Sequence, residues 1–325
     1  MMNFRLCFMS IYKHIMLGIL LCSSVLIPLQ AAELVVSIKP LALIIKPLLL
    51  PDDQLEVIVN GHTSPHDYAL KISDMKKLEK ADLVLWVGPE LERFLIKPVA
   101  GLVATRVMSI AQMPEIIWPA EHGGVHNESA EGGLGVFENA SVHRHAGRDP
   151  HFWLNPANAR ILANKVSERL IQLRPQQAQA YRDLLNLFQQ RLTDLHRQLE
   201  LQFEPIKHRG FVVYHRAYDH IVSAYHLRQL AYITVTPERK PGARHLYRLR
   251  QDLKGQGLNE QAVCVFMDAG SESAAAKSLA KDLGLPIARL DPLALYSERY
   301  SEFMRKMAAS LVQCVDTSST DHGER

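Results

Sequence analysis

The sequence predicts an α/β protein in which two lobes with parallel sheets are joined by one long rigid backbone helix, with a metal in the cleft between the lobes. Three observations carry this expectation. Short β-rich runs alternate with amphipathic stretches from Glu33 onward, and such alternation makes parallel sheets. One apolar stripe at helical spacing crosses the middle of the chain. Four ligand-type side chains, His66, His151, His215 and Asp291, each stand just after a strand-like or loop-like segment in widely separated parts of the chain.

Residues 1–31 hold Arg5, Lys13 and no acid, then the apolar run Ile15 to Leu29 and small residues at Ala31 and Ala32. That reads as a secretory signal peptide, its apolar core being too short and interrupted to span a membrane. Leu21 before Cys22 argues against lipidation there. Cleavage removes two of the 37 Lys and Arg and none of the 34 Asp and Glu, leaving a formal charge of +1, a balance that calls for no nucleic acid or acidic membrane. It also removes Cys7 and Cys22. Cys264 and Cys314 then remain as an even pair in an exported chain, read here as one disulfide, two buried free thiols being the other reading. Such a bridge contributes about 3–4 kcal/mol.

In the first half, Glu33 to Ile38, Leu55 to Val59, Leu83 to Val87 and Thr105 to Met108 read as strands. Ser73 to Lys80 and Pro89 to Ile96 read as helices, with Ser73 or Asp74 as cap and Pro89 suited to a first turn. From Ala157 to Phe203 the apolar positions keep helical spacing, broken only at Pro175; a helix from Gln176 to Phe203 is roughly 40 Å long at 1.5 Å per residue. The stripe covers too few heptads for a coiled coil, and a monomer is expected. In the second half Phe211 to Tyr214, Val263 to Met267 and Ile287 to Leu290 read as strands, and Glu272 to Leu283 as a helix closed by Gly284. The expected organisation is a leader over 1–31, a first α/β lobe over 32–175, a linking helix over 176–204 and a second lobe over 205–325. Residues 119–148, with Gly132, Gly133 and Gly135 and four histidines (His122, His126, His143, His145), lack periodicity and read as a mobile loop. The loop either gathers metal weakly or is a plain solvated insertion.

Context separates three histidines from the others. His66 lies in a turn-rich segment, Gly61 to Tyr68. His151 sits between Pro150 and Pro156, and His215 directly follows an apolar strand. Asp291 also follows a strand. Ligands in open α/β sheets gather outside the carboxyl ends of the strands, so facing lobes bring all four into one cleft. Three neutral imidazoles with one carboxylate or water suit Zn²⁺, whereas Mn²⁺ recruits more carboxylates. Asp268, after the strand Val263 to Met267, reads as a helix or turn cap, a further acid near the cleft being the other reading.

The segments SPHDY, DPHFWLNPANA, YHRAY, Pro241-Gly242-Ala243 before a helix, and LDPL, in that order from about Glu33 to Cys314, resemble the metal-binding solute-binding proteins of ABC transporters, the ZnuA-type zinc branch in particular. The resemblance implies a periplasmic receptor, not an enzyme, that carries Zn²⁺ to an inner-membrane ABC permease. It implies that His66, His151 and His215 are the zinc ligands, and that Asp291 matches an acid that ligates in the manganese branch and lies near the metal in zinc members. The Cys264–Cys314 pair matches a disulfide of zinc members. Arg216 stands where an acid is frequent, which predicts a more positive cleft, and Tyr232 where some members carry a loop-pairing histidine. A manganese receptor or surface adhesin on the same scaffold is the alternative; a zinc hydrolase fits less well, since no His-Glu-x-x-His helix or Gly-x-Ser-x-Gly elbow occurs.

Overall fold

The computed structural model describes residues 31–61, 63–120, 148–255 and 262–317. The leader and most of the Gly/His loop, with its four histidines, fall outside these residues. The first half builds β1 (Glu33–Ile38), α1 (Lys39–Ile45), β2 (Gln54–Val59), α2 (Ile72–Lys80), β3 (Leu83–Trp86), α3 (Ile96–Ala100) and β4 (Val107–Ser109). Then come α4 (Pro156–Leu173) and α5 (Ala178–Phe203). The second half holds β5 (Gly210–His215), α6 (Asp219–Tyr225), β6 (Arg228–Thr234), α7 (Ala243–Gly255), β7 (Ala262–Asp268), α8 (Ala274–Leu283), β8 (Ile287–Leu290) and α9 (Tyr300–Thr317).

Two four-stranded sheets result, ordered β2-β1-β3-β4 and β6-β5-β7-β8, with every pairing parallel. In each sheet the order reverses beside its first strand, which opens a crevice at the carboxyl ends. The expected α/β class and parallel sheets are therefore observed. Strand β1 is buried from Leu34 to Ile38 and β5 throughout, as a strand covered on both faces must be.

Helix α5 is the long brace. Arg174 leaves the helical region at φ −133°, ψ 68°, and Pro175 opens a short 3₁₀ turn before α5, so the break falls where the proline predicts it. The buried stripe Tyr181, Phe188, Leu192, Leu195, Leu199, Phe203 packs α5 against α4 and α9. One continuous core runs from Leu34 through Leu192 to Phe211 and Leu311. Each fully buried Leu or Phe in it contributes about 1.5–3 kcal/mol. The α4–α5 joint is held by a half-buried polar knot. Arg174 donates to Asp53 at 2.5 Å and Asp52 at 2.7 Å, and Tyr181 Oη–H donates to Asp53 at 2.9 Å.

Four expected elements are displaced. The helix expected over Pro89 to Ile96 is a turn followed by a 3₁₀ segment and α3, because the buried Glu92 carboxylate takes the Ser37 hydroxyl and the Gly88 amide. Gly88 itself has φ +153°, and a Cβ there would meet Ala111 Cβ at 2.7 Å. Helix α2 starts at Ile72, and Asp74 acts from inside it, accepting from the Lys71 amide at 2.9 Å. Strand β4 begins at Val107, after the 3₁₀ turn Ala104–Arg106. Helix α8 starts at Ala274 with Ser273 as its cap, and ends as expected at Gly284, φ +65°.

Cys264 in β7 and Cys314 in α9 form a disulfide across a sequence separation of 50. A loop of that length corresponds to about 4 kcal/mol of stabilisation. Cys264 lies four residues, about 13 Å of strand, from Asp268 at the carboxyl end of β7. Replacing both cysteines by Ser is expected to lower unfolding free energy by about 4 kcal/mol while leaving metal affinity within a factor of two. Denaturant melts and a chelator titration of the same variant check both halves.

Candidate metal centre

The carboxyl ends of the strands deliver the site. After β2, Gly61 turns the chain at φ +78°, and Pro65–Asp67 form a 3₁₀ turn in which Ser64 Oγ accepts from the His66 amide at 3.2 Å. His151 precedes the 3₁₀ turn Phe152–Leu154, after which Asn155 caps α4 through the Ala157 amide at 2.9 Å. His215 is the last residue of β5, in register with Thr234 of β6. Asp268 is the last residue of β7, the neighbour of β5 at the reversal of strand order.

His66, His151 and His215 converge. Their ring centroids lie 5.8, 6.3 and 5.3 Å apart in pairs, and each offers a ring nitrogen within 4.8 Å of the others. They face a cavity of ≈110 Å³ with Asp268, Asp291 and Pro237 in its wall. A larger cavity, ≈590 Å³, lies against Phe303 and Met307 and shares Asp291 with the first. A metal selects donor atoms rather than volume, so the smaller cavity is the candidate centre.

Carboxylates set the protonation pattern. His151 Nδ1 is 2.6 Å from Asp149 Oδ1, and His215 Nδ1 is 2.5 Å from Asp268 Oδ2. A carboxylate only accepts, so both Nδ1 atoms carry the proton and both Nε2 lone pairs are left for a metal. His66 Nε2 is buried with no hydrogen-bond partner. Burial, together with the neighbouring His151 and His215, pulls the His66 pKa down to about 3. Burial also lowers His215, but the Asp268 charge and hydrogen bond outweigh it and raise the imidazole above its ordinary 6.5. Asp149 is pushed up by its own burial and held below the usual carboxylate range by His151 and His220.

The structure thus gathers three of the four expected side chains. Asp291 lines the same cavity, with its Oδ2 accepting from the Tyr296 amide at 3.2 Å and its buried Oδ1 unpartnered, but it stands outside the gathered set. Asp268 is not a cap: it orients His215 and accepts from Tyr218 Oη–H at 2.8 Å. The Asp149 role was missed, although a carboxylate two residues before a candidate ligand is the available signal. Arg216 does not leave a bare charge in the cleft, because its Nε–H donates to Asp219 at 2.7 Å and its guanidinium lies 5.9 Å from the Tyr232 ring centroid.

Against known proteins, residues 34–314 match the family described as zinc-uptake complex component A, periplasmic. The high-affinity zinc uptake system protein ZnuA of Yersinia pestis is 31% identical over 297 residues, covering 88% of this chain and 92% of its own. That of Brucella abortus (strain 2308) is 30% identical over 307 residues, covering 86% and 91%. Among solved structures, a zinc-bound deletion mutant of ZnuA has a TM-score of 0.70 at 23% identity, covering 88% of this chain and 98% of its own. A mutant of the laminin-binding adhesin Lmb from Streptococcus agalactiae gives 0.70 at 20%, covering 88% and 100%. These two share the fold.

The shifted imidazoles define a pH dependence. A protonated ring cannot ligate, and His215 takes its proton at higher pH than His66 does. Metal affinity is expected to be level in alkali and to fall about tenfold per pH unit once pH drops through the raised His215 value, above 6.5. Asp268→Asn removes the charge that raises it and is expected to move the onset to lower pH. Chelator competition across about pH 5 to 9 reads both onsets, and an onset unmoved by Asp268→Asn would contradict this account.

Proposed function

Because this chain belongs to the family of periplasmic zinc-uptake complex components, we propose that it is the zinc receptor of a periplasmic ABC import system, with His66, His151 and His215 as ligands. The observation that carries the reading is the convergence of three imidazole nitrogens within 4.8 Å, two of them presented by buried carboxylates. Zinc–nitrogen bonds of about 2.0–2.1 Å in a tetrahedral shell require only a modest contraction from that spacing. Asp291 Oδ1, buried without a donor in the wall of the same cavity, supports Asp291 as the fourth ligand, with water as its competitor.

The chemistry of the donor set supports zinc over manganese, since three nitrogen donors suit the softer ion. The same shell accepts Cu²⁺, Ni²⁺ or Co²⁺ in a test tube. His66, neutral down to about pH 3, offers its lone pair without first losing a proton. In this reading the two sheets with their helices act as lobes over 32–175 and 205–325, α5 keeps their spacing, and the loaded receptor hands zinc to an inner-membrane permease driven by its ATPase. The protein works in the periplasm after removal of a leader over 1–31.

Titration of the metal-stripped protein against a chelator of known affinity tests this. One tight zinc equivalent is expected, with His66→Ala, His151→Ala and His215→Ala each weakening it at least tenfold, consistent with loss of one of three protein ligands. His196→Ala is the control: that side chain lies on α5 beside Tyr225 and Glu200 and is expected to change nothing. Equal losses from all four variants, or tight manganese with weak zinc, would overturn the assignment.

A further inference from the structure

We propose that Asp149 is a positioning residue that ties His151 to the helix following His215, so that two ligands from the two halves of the chain are held in register before zinc arrives. This rests on the zinc-receptor reading above. The tie consists of four hydrogen bonds accepted by one residue. Asp149 Oδ1 accepts from the His151 amide at 2.9 Å and from His151 Nδ1–H at 2.6 Å. Its other carboxylate oxygen accepts from the Asp219 amide at 2.9 Å, and its main-chain oxygen accepts from His220 Nε2 at 3.0 Å. Asp219 and His220 open α6, 70 and 71 residues further along the chain.

Each partner is itself fixed. Asn158 Nδ2 faces His220 Nδ1 at 3.3 Å, which makes that nitrogen the acceptor and leaves the proton on Nε2 for Asp149. Asn158 is held in turn by both main-chain groups of Ile117, at 2.8 and 3.0 Å. Asp219 accepts from Arg216 Nε–H at 2.7 Å, and the Arg216 amide donates to Thr234 of β6 at 3.0 Å. A hydrogen-bonded path therefore leads from His151 through Asp149 and Asp219 to Arg216, the residue bonded to His215. Asp149, Asn158, Asp219 and His220 are all buried, where a bond left unmade costs its full desolvation penalty.

The geometry demands a carboxylate at this position. One oxygen serves His151 and the other serves Asp219, so neither the loop of His151 nor the start of α6 can shift without breaking a buried bond. An asparagine has a single acceptor oxygen and must present its NH₂ group to one of two donors. Loss on the His151 side frees the imidazole proton to move to Nε2, the atom a metal needs; loss on the Asp219 side releases the register.

The test compares three variants by zinc titration and by hydrogen exchange of the Asp219 amide in the metal-free protein. Asp149→Asn is expected to weaken zinc binding about 10–100-fold, the range for partners of metal-ligating histidines, and to speed Asp219 exchange. His220→Phe touches no metal ligand, keeps an aromatic ring in the site, and is expected to weaken zinc several-fold; it carries the test if Asp149→Asn does not fold. Asp268→Asn is expected to weaken zinc while Asp219 exchange stays as in the unaltered protein. Wild-type affinity in Asp149→Asn or in His220→Phe overturns the proposal, as does an Asp268→Asn that speeds Asp219 exchange as much as Asp149→Asn does. An unaltered protein that binds no zinc tightly overturns the receptor reading instead, and Asp219 exchange in Asp149→Asn then still decides whether the tie exists.

Discussion

Two buried carboxylate–imidazole pairs, Asp149–His151 and Asp268–His215, are the interaction on which the centre depends. Three imidazoles crowded into a cavity of ≈110 Å³ could bind a metal only if each kept its lone pair pointed inward and unprotonated. On His151 and His215 a carboxylate at Nδ1 fixes the ring and, in the neutral imidazole, keeps the proton on the far nitrogen. The cost is a buried negative charge, which is tolerated only when its oxygens are supplied with donors. Asp268 has Tyr218 and His215, and Asp149 has donors from both halves of the chain. The carboxylates thus require a framework that can place donors around them to within a few tenths of an ångström.

That framework is the pair of parallel sheets. The reversal of strand order puts β5 and β7 side by side with diverging loops, so His215 and Asp268, the last residues of those strands, meet without any special backbone. The other two imidazoles come from the first half, and their distance from His215 is set by α5 and the core packed along it. Direct ties reinforce the spacing: Trp153 Nε1–H donates to Pro292 at 2.7 Å, Tyr300 Oη–H donates to Trp153 at 2.7 Å, and Lys39 reaches Leu295 at 3.1 Å. Trp153 is two residues from His151, and Pro292 is one residue from Asp291. The same hydrogen bond therefore fixes the loops that carry both.

What the sequence made legible follows from which signals are local. A buried parallel strand reads as an apolar run, so Glu33–Ile38 was recognisable to the residue; Ile287–Leu290 also matched its expected bounds, although only Leu290 of it is buried. The stripe of α5 and the break at Pro175 were equally plain. Strand β6, with the sequence RQLAYIT and an exposed start, carries no comparable run, because an edge strand needs none. The turn at Gly88 escaped detection because a buried Glu92 carboxylate holds it, and Glu92 owes its place to Ser37, 55 residues away. In the site, His66, His151 and His215 stood out by their setting at strand ends and between prolines. Asp268 did not, because an acid after a strand looks like a cap until its partner 53 residues earlier is brought beside it.

The arrangement suits a carrier better than a catalyst, for reasons of volume and of charge. A cavity of ≈110 Å³ holds about three or four waters at roughly 30 Å³ each, well short of the about 300–1,000 Å³ that organic substrates occupy. The charge is placed for reversibility. Asp149 and Asp268 stand behind imidazoles, where they stabilise an entering dication through space without forming bonds to it that release would have to break. In the proposed site three nitrogen donors leave one tetrahedral position open; Asp291, in the wall of the same cavity, is on a loop whose Ala294 sits at φ +56°, a conformation that costs a non-glycine residue of order 1 kcal/mol or more. As the proposed fourth ligand, a side chain on a strained loop is the one most easily withdrawn. On the proposed reading, exchange at that fourth position, with the three imidazoles held in place, is the step by which the site takes up zinc and releases it.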